Sequence, residues 1–153
     1  MKTLILAAGE GLRLRPLSST RPKHLLPVGD KPLIYHILAS IRNAGCREVL
    51  IIIGYQGEKI KRVLGDGSQV GINIKYVWQR EYNGTGEAIR LAEDYVQNED
   101  FAVHYGDLYI KPYTFKRIFQ EYRKKRTNII GVVESDNPQN YGVIEIDRQK
   151  RIK

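Results

Sequence analysis

Apolar and polar positions follow one another along this chain in two rhythms, and the switching between them predicts its elements. Residues 3–8 form a short, nearly all-apolar run, as expected of a strand covered on both faces in a parallel sheet. Leu33, Ile34, Ile37, Leu38 and Ile41 then recur at helical spacing, and Gly45 is placed to end that helix. Residues 49–53 read as a second strand. Ile60, Val63 and Leu64 mark a short helix, Asp66-Gly67-Ser68 a turn, and residues 72–78 a third strand. Ala88, Leu91, Ala92, Tyr95 and Val96 share one further helix face, and residues 101–104 form a fourth strand. Phe115, Ile118, Phe119 and Tyr122 give another amphipathic helix; residues 129–133 are expected to be a fifth strand, and residues 141–147 one more. Alternation of this kind implies an α/β layered domain with a mostly parallel sheet, residues 3–8 at its centre and right-handed crossovers.

Composition narrows the picture. At 153 residues the chain can bury one ordinary core, so a single domain spanning residues 1–153 is expected. No apolar run is long enough to span a bilayer and the first strand lacks the flanks of a cleavable signal, which together suggest a soluble cytoplasmic protein with no membrane partner. Cys46 is the only cysteine and reads as a small structural residue. The net charge of +8 favours anionic partners. Much of that excess lies at residues 123–126 and 148–153, where a solvated helix end and a solvated terminus are the simpler reading. Without aromatic and basic residues interleaved, the pattern argues against a nucleic acid as partner.

The densest chemistry lies between Leu6 and Pro27. Leu6, Ala7 and Ala8 lead out of the first strand into Gly9-Glu10-Gly11, and Arg13, Arg15, Arg21 and Lys23 follow within one loop. Glycines remove side chains where main-chain N–H groups can meet phosphate oxygens. Arginine grips such oxygens with paired hydrogen bonds, while lysine acts as a point charge. A dinucleotide fingerprint would need glycine where Leu14 stands, and a P-loop would need Gly-Lys-Ser/Thr, which is absent.

In open parallel sheets ligands bind beyond the carboxyl ends of the strands, so residues just past each strand are the next candidates. After the third strand come Gln79 and Gly84-Thr85-Gly86-Glu87-Ala88. A glutamine amide can read a pyrimidine edge and Gly84 lets a base come close; alternatively, Thr85 caps a helix and Gln79 sits on the surface. After the fourth strand Asp107 brings a carboxylate to the same edge, suited to Mg²⁺ with nucleotide phosphates. Taken singly, a Gly-Asp here is more often a turn or a helix cap. His24, His36 and His104 lack partners at metal or triad spacing and are read as structural.

Gly9-x-Gly11-x-Arg13 with Pro16, followed by Pro22-Lys23-x-Leu25-x-Pro27, resembles the signature of sugar-phosphate nucleotidylyltransferases, with Leu12 where that family usually carries a hydroxyl residue. The resemblance implies a Rossmann-like α/β/α sandwich of the nucleotide-diphospho-sugar transferase type, of which the chain covers about the first two thirds of the catalytic domain. A Glu-Lys pair, a second metal-binding acid and any β-helix domain would lie beyond it. By the same resemblance Arg13, Lys23 and Asp107 are catalytic and Asp107 holds the Mg²⁺. Leu6, Ala7, Ala8, Gly9, Glu10, Gly11, Gln79, Gly84 and Thr85 bind the nucleotide, and Tyr141-Gly142 borders the sugar. The implied reaction joins a nucleoside triphosphate, UTP or dTTP, to a sugar-1-phosphate, glucose-1-phosphate or its N-acetylglucosamine counterpart, releasing pyrophosphate. Mannose-1-phosphate guanylyltransferases share the loop, and non-catalytic regulatory subunits keep the fold. Both stay open, as does homo-oligomerisation, although retention of Arg13, Lys23 and Asp107 argues for an enzyme.

Overall fold

The computed structural model describes residues 1–149, 151 and 152; Lys150 and Lys153 of the basic terminus lie outside the described residues. Strands β1 (Lys2–Ala7), β4 (Glu48–Ile53), β5 (Asn73–Trp78) and β6 (Phe101–Tyr105) form a four-stranded parallel sheet in the order β5-β4-β1-β6. The register sets Leu4 between Leu50 and Val103, and Ile5 between Ile51 and His104. Residues paired side by side in this way share a face of the sheet.

One face carries Ile5, Ala7, Val49, Ile51 and Ile53 beneath helices α2 (Leu33–Asn43), α3 (Gly57–Leu64) and α6 (Pro112–Lys125). The other carries Leu4, Leu50 and Ile52 beneath Ala88, Ala92 and Val96, from the short helices α4 (Thr85–Arg90) and α5 (Glu93–Val96) and the two-residue link between them. Burial on both faces is why β1 from Leu4 to Ala7 and β4 from Val49 to Ile53 are continuously apolar rather than alternating. Between β1 and α2 the chain makes single turns at Leu12–Leu14 and Lys23–Leu25 and the short helix α1 (Leu17–Thr20). A two-residue ribbon pairs β2 (Pro27–Val28) with β3 (Lys31–Pro32).

Three expectations need correction. The helix expected through Ala88 and Val96 is two helices, because the Ala92 N–H bonds the Ile89 carbonyl three residues back at 3.0 Å and breaks the four-residue ladder. Residues 129–133 form no strand. Ile130, Val132 and Val133 are exposed and the segment pairs with no strand, which leaves the outer edge of β6 without a neighbour among the described residues. Residues 141–147 likewise form no strand beyond one antiparallel bridge between Ile146 and Ile152. Phe101, Val103 and Tyr105 also stay exposed, since the α4–α5 layer covers β1 and β4 but stops short of β6.

Among the described residues no helix is long and apolar enough to cross a membrane. The basic end of α6 is engaged with acids, Lys125 to Glu121 at 3.4 Å and Arg126 to Asp100 at 3.3 Å, on a helix terminus whose dipole favours cations. Cys46 is buried and accepts a hydrogen bond from the Thr3 hydroxyl at 3.2 Å, a packing role.

The difference between the packed sheet and the segment after α6 is measurable by urea denaturation. Ile51→Ala should cost about 2–5 kcal/mol, as a fully buried isoleucine truncated to a methyl leaves a cavity. Val133→Ala, 87% exposed, should stay within about 0.5 kcal/mol of the parent.

Candidate active site

Connections β1 to β4 to β5 step outward in one direction, and the chain then jumps back over β4 and β1 to place β6 on the other side. A reversal of this kind opens a crevice at the carboxyl ends of the strands. Backbone hydrogen bonds carry the ladder past the strand ends and fix the height of the loops that leave them. The Gly106 N–H donates to the Leu6 carbonyl at 2.8 Å, and the Gln79 N–H to the Ile53 carbonyl at 2.8 Å. At this edge lies a cleft of about 340 Å³, lined by residues following β1, β5 and β6.

Lys23 and Asp107 meet in the cleft as a hydrogen-bonded ion pair between residues 84 positions apart. The glycine loop makes room for the lysine: a Cβ at Gly11, whose φ is 68°, would stand 3.1 Å from Lys23 Cδ, and one at Gly9 would stand 3.7 Å from its Nζ. Burial, the largest influence on Asp107, pushes its pKa up. The hydrogen bond and charge of Lys23 outweigh it and hold the carboxyl below the usual carboxylate value. Asp107 is the one carboxylate lining the cleft among the described residues, and no group of three potential metal-binding side chains occurs among them. That donor set does not fit a metal held wholly by protein. It fits Mg²⁺, an ion commonly held by one or two carboxylates with its other oxygens supplied by phosphate and water.

Behind the pair, His24 is almost completely buried, and neither ring nitrogen has a hydrogen-bond partner among the described residues. Burial, with help from the Lys23 charge, lowers its pKa to about 4. His104 is also buried and packs its ring 5.5 Å from that of Phe115, while His36 bonds the Val28 carbonyl at 2.8 Å.

The opposite wall comes from the β5–α4 connection. Gln79 is buried rather than on the surface, and its amide donates to the Gly84 carbonyl over a long 3.4 Å. Thr85 does not cap α4. The cap position belongs to Gly84, with φ 92° and no side-chain hydrogen bond, and Thr85 is the first helical residue.

The cleft therefore brings together Leu6, Ala8, Gly9, Lys23, Gln79, Gly84, Thr85 and Asp107. It leaves out others. Ala7 points into the core under α2. Gly11 lies beneath the Lys23 stem. Glu10 is 3.6 Å from Arg15 at the surface, Arg13 is exposed on the turn after Gly11, and Tyr141 and Gly142 are exposed in the segment after α6. Ala88, the last residue of the segment picked out after the third strand, also lines the cleft, as do Tyr82 and Tyr105, which sequence reasoning did not select. Tyr105 had a legible signal, as the last strand residue before Gly106-Asp107; Tyr82 sits in a loop whose path no pattern predicts.

The fold and the cleft define an α/β protein with a cation-bearing cleft at the carboxyl edge of a parallel sheet. The chain belongs to the nucleotidyl transferase family, whose model matches residues 2–153. It is 34% identical over 153 residues to the low-salt glycan biosynthesis nucleotidyltransferase Agl11 of Haloferax volcanii, covering 99% of this chain and 43% of that protein. The glucose-1-phosphate thymidylyltransferase of Streptomyces antibioticus is also 34% identical, over 154 residues, covering 99% of this chain and 43% of its own. Among solved structures, a UDP-glucose pyrophosphorylase complexed with UDP-glucose superposes with a TM-score of 0.78 at 28% identity, covering 98% of this chain and 64% of its own. The chain thus spans less than half the length of either curated relative.

His24 gives this site a pH signature. Its folded pKa lies below the unfolded value of 6.5, so burial of the neutral ring contributes stability that is fully present above pH 6.5 and is lost as pH falls toward 4. Asp107, whose pKa is lowered from 3.8, acts below that window. His24→Phe should reduce the loss of stability between pH 6.5 and 4 by on the order of 3 kcal/mol when urea midpoints are compared across pH, leaving the part due to His104, whose pKa burial also lowers.

Proposed function

We propose that the chain is the N-terminal part of a cytoplasmic sugar-1-phosphate nucleotidylyltransferase. It would join a nucleoside triphosphate, UTP or dTTP, to glucose-1-phosphate or N-acetylglucosamine-1-phosphate and release pyrophosphate. The observation that carries the reading is the facing of two walls across one cleft: the Lys23–Asp107 pair on the glycine-loop side, and Gln79, Gly84 and Thr85 on the other. One wall suits phosphates and the other a base. The named activities of the two curated relatives and of the UDP-glucose complex agree with it.

In this reading the base lies against Gln79, whose amide presents a donor and an acceptor, and Gly84 leaves space for its edge. The triphosphate runs along Ala8, Gly9, Glu10 and Gly11 toward Lys23. Without nucleotide, Lys23 and Asp107 neutralise each other; with nucleotide, the lysine turns to phosphate and the carboxylate is released. Asp107 would hold Mg²⁺ together with phosphate oxygens, and the ion would supply positive charge where negative charge is shared between triphosphate and sugar phosphate. An oxygen of the sugar-1-phosphate attacks the α-phosphorus, the bond to the β-phosphate oxygen breaks, and pyrophosphate leaves with its charge met by Lys23 and by Arg13, reaching in from the exposed turn after Gly11. Nothing on the enzyme becomes covalently modified, so positioning and charge stabilisation account for the catalysis. Tyr141-Gly142 borders the sugar.

Thermal shift tests the nucleotide half directly. At a hundred times its Kd, the right triphosphate with Mg²⁺ should stabilise the chain by about 2.7 kcal/mol, and Asp107→Asn should remove the Mg²⁺ dependence. A cooperative melt that no triphosphate moves would sink the reading. In the full-length enzyme, Lys23→Ala should lower turnover roughly 100- to 1000-fold by pyrophosphate release, and a near-normal rate would exclude Lys23 from its assigned role.

A further inference from the structure

A surface loop as long as that between Gly9 and Lys23, with its cations exposed, depends on contacts from outside itself to hold one shape. Those contacts come from the turn between β4 and α3. Gln56 sits there in the left-handed region, φ 53°, a conformation a glutamine holds only where its surroundings demand it. Its amide nitrogen donates to the Ser18 carbonyl at 3.3 Å and the Ser19 carbonyl at 3.1 Å. Lys59, three residues on, donates to the Thr20 carbonyl at 2.5 Å and to Gln56 Oε1 at 2.8 Å, so both ends of the amide are engaged.

The connection continues inward. The buried Ser18 hydroxyl donates to the Gly11 carbonyl at 2.8 Å, tying α1 to the glycine turn that carries Arg13. At the loop's other end the Tyr55 N–H donates to the Ala8 carbonyl at 3.0 Å.

We propose that Gln56 and Lys59 are positioning residues: the β4–α3 turn staples both ends of the glycine-arginine loop and sets where Arg13 stands before any ligand arrives. The inference rests on the functional reading above only in taking a triphosphate as what the loop meets. A loop fixed in advance spares the ligand the entropy of ordering it, so releasing the staple weakens binding without touching a group that meets the ligand.

Trypsin reads the loop directly. Between Gly11 and Pro22, Arg13–Leu14 is the one bond it can cut, since Arg15 and Arg21 each precede proline. Gln56→Gly removes the amide while keeping a residue at ease with positive φ, and Lys59→Met keeps the stem without the charge. Both should release the fragment ending at Arg13 about tenfold faster, with a melting temperature close to the parent's. Lys59→Arg, which still carries donors, should cut at the parent rate. Triphosphate affinity should fall about five- to tenfold in Gln56→Gly and Lys59→Met. Parent-like cleavage in both variants would overturn the staple. Should the parent chain bind no triphosphate, the functional reading fails while the cleavage rates still judge the staple.

Discussion

The close approach of β1 and β6 at Gly106 is the constraint on which the site depends. The Gly106 N–H bonds the Leu6 carbonyl at 2.8 Å, and a Cβ there would stand 2.8 Å from that same oxygen and 2.9 Å from the His24 ring. Only a residue without a side chain lets the strand end, the loop return and the His24 ring share that space. Asp107 comes immediately after it, and Lys23 is the immediate neighbour of His24 in sequence. One tight contact thus sets both members of the cleft's ion pair.

That pair is half-exposed at the carboxylate, so its contribution to stability is small. Its importance is electrostatic. Two opposite charges held together in a cleft stay paired while nothing else meets them, and under the function proposed above a triphosphate with a divalent cation would meet each at once. His24 serves differently. A neutral ring with both nitrogens buried fills volume beneath the pair, and its cost on protonation erodes the stability of that arrangement as pH falls from 6.5 toward 4.

The outer loop depends on a second, softer set of contacts. Hydrogen bonds from Gln56 and Lys59 go to main-chain carbonyls, so they constrain the path of residues 18–20 without specifying their side chains. The sheet edge is therefore tied by backbone hydrogen bonds where the charges meet, and by replaceable polar contacts where the loop spans open surface.

How much of this was legible in the sequence depended on whether the cause was local. The strands at β1, β4, β5 and β6 and the helices α2, α3 and α6 could be read because an uninterrupted apolar run or a helical spacing of apolar residues suits one kind of backbone and mismatches the rest. The glycine loop, Gln79 and Asp107 could be located because each lies just past a strand, at the edge where such sheets bind ligands. The split between α4 and α5 could not, since it turns on one hydrogen bond shifted by a residue. Residues 129–133 carry the composition of a strand, yet a strand exists only beside another, and sequence does not say whether that neighbour is there. The same limit hid Tyr82, Gln56 and Lys59, whose roles arise from what a loop elsewhere places within reach. By itself the sequence determined which residues are apolar, which are charged and where the backbone is free to turn. Tertiary structure decided which of them meet, because the pairing of Lys23 with Asp107 and the stapling of the loop are contacts between segments far apart in the chain, fixed by strand order rather than by any local pattern.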